Sequence, residues 1–173
     1  MMLVKENINE FERSSNPYKA MGVGKIFQIE KWLKEYEFTK DMYHINDDLT
    51  IDINVQTGLS INKPRIASRG LRGLPDYINF NIWEGRCFMN WNLFTNMRGC
   101  PKIVTENFYI NGNPLRSLKG IPKEVGGRFF IAKICGFTQE DIMARCNVRY
   151  EDITLSENPG EESFKALKNL HNK

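Results

Sequence analysis

Few residues in this chain have types and spacings that could do chemistry. His44 and His171 lie far apart, and neither sits near the four cysteines, Cys87, Cys100, Cys135 and Cys146. No C-x-x-C pair occurs. Zinc ligands usually come in close pairs, so no metal site is expected, and the thiols read as small buried hydrophobes. Asp47-Asp48 and Glu161-Glu162 are adjacent acids, a pattern typical of solvated surface. Met21-Gly22-Val23-Gly24-Lys25 lacks the spacing of a phosphate loop and follows no apolar strand, so it reads as a turn. No nucleophile motif accompanies the histidines. The expectation is a protein that is not an enzyme, with no cofactor and no small-molecule substrate.

Chemistry of a second kind lies in residues that recur. From Phe108 the chain reads Phe108, Ile110, Asn113, Leu115, Leu118, Ile121-Pro122 and Val125. Twenty-one residues earlier the same slots hold Cys87, Met89, Asn92, Phe94, Met97, Cys100-Pro101 and Val104. Twenty-one residues later they hold Phe129, Ile131, Ile134 and Gly136, after which the pattern decays. A looser unit, reached by a 23-residue step, holds Pro64, Ile66, Leu71 and Leu74. Units therefore begin at 64, 87, 108 and 129, with Tyr150 next. A repeat explains three segments, whereas a hairpin turning at Asn111-Gly112 would explain only one.

The slot pattern resembles the leucine-rich repeat. Slots 1 and 3 alternate, so both face one side of a short strand. Asn92 and Asn113 follow each strand where the chain must turn inward, and Gly99-Cys100-Pro101 and Gly120-Ile121-Pro122 begin the return arm. Arg69 and Ile134 replace the Asn in the outer units. The expected fold is α/β, mostly β: a short leucine-rich-repeat-like solenoid of parallel strands in units of about 21–23 residues. An N-terminal amphipathic helix and a C-terminal helix would cap it.

Two surfaces follow from that register. Slot 2 reads Arg65, Phe88, Tyr109, Phe130, and slot 4 reads Ala67, Asn90, Asn111, Ala132, with Trp91 and Lys133 one residue further on. An outward aromatic column is expected, and Phe88, Asn90, Trp91, Tyr109, Asn111, Phe130 and Lys133 are candidates for binding a protein partner. Arg98 and Lys119 share one slot, and Lys102 and Lys123 share another. Residues 64–149 hold 13 Lys/Arg and 6 Asp/Glu, a balance of +7, while the flanking segments 1–63 and 150–173 each carry −2. The alternative function is therefore nucleic-acid binding through Arg98, Lys102, Lys119 and Lys123.

The elements that would position these residues fit one domain of 173 residues, 41% hydrophobic and 26% charged. Residues 1–40 read as an irregular segment, with a turn at Asn16-Pro17, followed by a helix over 22–37 striped by Ile26, Ile29, Trp32-Leu33 and Tyr36. Residues 41–155 read as the repeat region. It opens on an alternating strand at 49–55 and closes on a Thr-capped turn at 138–144 and a strand at 150–155. Residues 156–173 read as a C-terminal helix and tail. No apolar run reaches the ~18–20 residues a membrane span needs, and MMLVKENINEFER does not read as a secretory signal.

With these stretches in view the chain resembles short leucine-rich-repeat-like proteins of tailed phages of gut bacteria, the crAss-like phages among them. The resemblance rests on FERSSNPYKAMGVG, on IEKWL followed by INDDLTIDI, on the GCPKIV and GIPKEVGG units, and on FTQEDIMARCNV. It implies a viral protein in the cytoplasm of the infected bacterium or in the phage particle. It implies no catalytic residues. A structural component of the virion is a further reading.

Overall fold

The computed structural model describes residues 17–54 and 66–157, with side chains in the first helix described from residue 22 onward. That helix, α1 (Pro17–Glu35), starts earlier than expected. Proline suits the first helical position because its missing N–H would be unpaired there anyway. The helix then runs through Gly22 and Gly24, where residues 21–25 read as a turn in the sequence. Ile29, Trp32 and Leu33 are buried, while Val23 and Phe27 stay exposed, so the C-terminal half does the packing. The end is a Schellman turn: Phe38 N–H donates to Leu33 O at 2.9 Å and Glu37 N–H to Lys34 O at 3.1 Å. Glu37 takes the left-handed conformation (φ 64°) there.

A 3-10 turn at Lys40–Met42 leads into a hairpin of β1 (Tyr43–Ile45) and β2 (Ile51–Asn54). Asp48, one of the paired acids, closes the turn by accepting from the Thr50 amide at 3.0 Å and the Thr50 hydroxyl at 2.6 Å. Strand β2 pairs in parallel with β3 (Phe80–Glu84). β3 continues in parallel to β5 (Ile103–Val104) and then β7 (Glu124–Val125). Each of β3, β5 and β7 is followed in sequence by a strand of another sheet: β4 (Cys87–Phe88), β6 (Phe108–Tyr109) and β8 (Phe129–Ala132). These form a second, parallel sheet closed by β9 (Ile153–Ser156). The helix α2 (Gln139–Met143) sits between β8 and β9. Its Thr138 cap forms a reciprocal pair with Asp141.

This architecture corrects the expected fold. It is an α/β fold of two small sheets, a five-stranded mixed one and a four-stranded parallel one, with few helices, in place of a leucine-rich-repeat-like solenoid. The physical reason lies in the segment read as a return arm. Ile103-Val104 and Glu124-Val125, just after the Gly-x-Pro triplets, pair as strands of the five-stranded sheet. Each 21-residue step thus places two short strands in two sheets. The first sheet also carries an antiparallel strand. The end register differs too: α2 lengthens the last step, so Ile153 rather than Tyr150 lies opposite Phe129. Tyr150–Asp152 is a 3-10 turn. The segment 1–16, Pro64, Arg65 and the expected C-terminal helix from residue 158 lie outside the described residues.

One core joins both sheets. Phe80, Cys87, Met89, Phe94, Phe108, Ile110, Phe129 and Ile131 are nearly or fully buried in it. Phe108 and Phe129 meet edge to face at 5.3 Å. Among the described residues, Asn92 and Asn113 are the buried polar ones. Asn113 Oδ1 accepts from the Phe94 amide at 3.2 Å, and its Nδ2 donates to Met89 O at 2.9 Å and Ile110 O at 2.8 Å. Asn92 ties the Arg69 and Leu71 amides to Ile66 O and Met89 O in the same manner. Each therefore tethers neighbouring units through groups that would otherwise be buried unpaired. Gly99 and Gly120 both take positive φ (83° and 85°). A Cβ at either would lie 2.5 Å from Ile78 O or 2.4 Å from Met97 O, so only glycine lets adjacent turns approach this closely.

Candidate functional site

The parallel sheet positions the aromatic column. Phe88, Tyr109 and Phe130 are direct neighbours on β4, β6 and β8. Their ring centroids are 4.6 and 4.5 Å apart, with planes tilted by only 9° and 5°. These separations follow the strand spacing of about 4.8 Å, so the backbone itself stacks the rings. All three are half-buried. The Tyr109 hydroxyl accepts from Asn107 Nδ2 at 3.0 Å, and Asn107 Oδ1 accepts from the Arg128 amide at 2.8 Å. Asn107 was missed in the sequence. Its place in the Arg86–Asn107–Arg128 row, at the same 21-residue step, was the signal that would have found it.

The other candidates of this face diverge. Asn90 and Asn111 lie two residues beyond Phe88 and Tyr109 and are half-buried, with Asn90 Oδ1 enclosed and unpartnered. Trp91 turns away through a positive φ (57°) and lies over Gly112, where an added Cβ would meet Trp91 Cε3 at 2.5 Å. Lys133 leaves the sheet in a 3-10 turn and donates to Glu157 at 2.8 Å. The structure therefore brings together Phe88, Tyr109 and Phe130, with Asn90 and Asn111 beside them. Trp91 and Lys133 are placed apart from the column.

The basic set converges. Arg98, Lys102, Lys119 and Lys123 all line one open groove of about 310 Å³. Backbone bonds hold the two pairs in step: Met97 N–H donates to Lys119 O at 2.8 Å, and Lys123 N–H to Lys102 O at 2.7 Å. The floor between them is apolar. It comprises Pro101 and Ile121 from the two Gly-x-Pro turns, with Phe80 and Cys100 beneath. Sequence reading had the cations but not this floor. Countercharge is sparse. Asp76 reaches Arg98 at only 4.0 Å from an almost fully exposed position. Asp48, held below the usual carboxylate range chiefly by its bonds to Thr50, also feels Lys102. Glu124 does not line the groove and acts instead on Cys146.

The buried thiols Cys87, Cys100 and Cys146 are poor nucleophiles. Burial pushes Cys87 and Cys100 well above their ordinary values. Cys146 rises to about 12 through burial first and the Glu124 charge second. A second open cavity, of about 330 Å³, is lined by Asp41, His44, Asp52 and Glu84 among others. Burial raises the Asp52 carboxyl, but bonds from Asn46, Asn81 and the Ile82 amide outweigh that and leave it below its usual value. This carboxylate, on β2, ties β3 to the hairpin turn at Asn46. Glu161-Glu162 and His171 lie outside the described residues. Among the described residues no group of three or more His, Cys, Asp or Glu could hold a metal ion, and no helix is long and apolar enough to cross a membrane.

Comparison with protein-family models, with curated proteins and with solved structures finds no match to this chain.

Proposed function

We propose that this chain is a non-enzymatic protein-binding module whose contact face is the outer side of the four-stranded parallel sheet. The observation that carries this reading is the stacked column Phe88–Tyr109–Phe130, half-exposed and flanked by Asn90 and Asn111. Aromatic rings are favoured at protein interfaces because they offer large contact area with few torsions to freeze. Here the rings are already ordered by one another, so a partner would pay little entropy to use their edges. The resemblance to phage proteins supports a partner of phage or host origin, met in the cytoplasm of the infected bacterium or in the particle.

The test is affinity capture from infected cells with the intact chain and with two variants. Asn111→Arg sets a charged side chain beside the rings without removing any of them. Tyr109→Ala removes the central ring of the column. A specific partner should be captured by the parent chain and lost from both variants, with Asn111→Arg melting within a few degrees of the parent. An unchanged capture profile for Asn111→Arg rejects this face.

A further inference from the structure

We propose that the groove between the two Gly-x-Pro turns binds the phosphate backbone of nucleic acid, without regard to base sequence. This site is separate from the aromatic face and does not depend on it. Four cationic side chains surround one groove, and they come from equivalent slots one strand apart. Like charges held in register repel, so the arrangement is relieved by a ligand that carries anions at a similar repeat. The carboxylates near the groove supply only part of that relief. Asp76 meets Arg98 only at 4.0 Å, Asp48 acts on Lys102 but is tied by its bonds to Thr50, and Glu124 does not line the groove.

The groove's chemistry selects a ligand made of acceptors. The four cationic ends only donate; among the lining side chains Asn79 alone carries an oxygen acceptor, its Oδ1, and its Nδ2 already donates to Asp76 O at 3.1 Å. Pro101, Ile121 and Phe80 offer no polar group that could read a base edge. Phosphate contacts that fix position without carrying sequence information are what such a surface can make. A nucleic-acid strand presents a charge at every residue, whereas an acidic peptide does so only where carboxylates happen to cluster. The +7 balance of residues 64–149 adds a longer-range field of the same sign.

Fluorescence anisotropy of the full chain with labelled oligonucleotides of ~16 nucleotides tests this. Single-stranded DNA, single-stranded RNA and duplex DNA are the three probes. If all four cations meet phosphates of a single strand, raising salt from about 50 to about 200 mM should weaken binding about 50-fold, with a log–log slope near −2.8. Arg98→Gln/Lys119→Gln and Lys102→Gln/Lys123→Gln should each cut that slope by roughly half. Lys119→Arg/Lys123→Arg should preserve it, as should Lys133→Gln, in the 3-10 turn beyond the end of β8. The proposal is overturned if none of the probes binds at low salt. It also falls if the glutamine variants keep the parent slope, or if poly-glutamate displaces the oligonucleotide as well as unlabelled nucleic acid does.

Discussion

The aromatic column on the four-stranded sheet and the cation pairs at the head of the five-stranded sheet come from the same 21-residue step. That step sets equivalent residues about one strand apart whatever their chemistry. For Phe88, Tyr109 and Phe130 the result is attraction, because near-parallel rings at 4.5–4.6 Å stabilise one another. For Arg98 with Lys119, and Lys102 with Lys123, the result is repulsion. One ladder is complete within the fold, and the other is complete only with an anion. The two regions should therefore respond oppositely when a side chain is removed.

The largest effect should come from the tether both regions share. Asn113→Ala would strip partners from the Phe94 amide and Ile110 O at once, and would leave Met89 O with Asn92 Nδ2 alone. A buried group left unpaired costs roughly 1–3 kcal/mol. The expected loss is about 4 kcal/mol, or some 12 °C in melting temperature for a chain of this size. Calorimetry checks it. A loss under about 1 kcal/mol would mean that the units do not depend on this residue for their register. The two ladders would then owe their register to separate contacts.

Next comes the aromatic column itself. Tyr109 stacks on two rings, so Tyr109→Ala removes two contacts worth about 0.5–1.5 kcal/mol each, together with the burial of the ring. A cost of about 3 kcal/mol is expected in urea titration. Tyr109→Phe keeps the stack and loses only the bond from Asn107 Nδ2, so it should cost about 1 kcal/mol or less. Equal costs for the two variants would show that the hydroxyl, rather than the stack, holds the column.

How much of this was legible depends on what each residue signals alone. Asn92, Asn113, Gly99 and Gly120 are types with few other reasons to recur at fixed spacing, so the step and its tethers could be read directly. Strands β5 and β7 could not. Each is two residues long, and Ile103-Val104 and Glu124-Val125 show no alternation to mark a strand. Missing them turned a second sheet into a return arm, and the fold was misread as a result. The same error hid the groove, because its Pro101 and Ile121 floor exists only where those turns stack beside β3. Trp91 was misplaced for a different reason: its positive φ breaks the alternation that would have kept it on the strand face. The three-residue shift from Tyr150 to Ile153 came from α2, which no repeat of fixed length anticipates.

The smallest effect separates the two ladders most sharply, because it should carry the opposite sign. Lys119→Gln/Lys123→Gln leaves Arg98 and Lys102 without like-charged neighbours, while the backbone bonds that set the turns remain. Two exposed charges about 5 Å apart in water repel by a little under 1 kcal/mol, and splayed side chains feel less. The double variant should therefore be more stable than the parent by about 0.5 kcal/mol at low ionic strength. The gain should vanish near 1 M salt, where the screening length falls to about 3 Å. Single-stranded oligonucleotide should reverse the order, raising the melting temperature of the parent chain more than that of the variant, which keeps two of the four cations, because a ligand stabilises the folded state in proportion to how tightly it binds it. A variant less stable than its parent at every salt concentration would mean that the lysine stems pack on the apolar floor more than their charges repel. The cation ladder would then be as self-sufficient as the aromatic one.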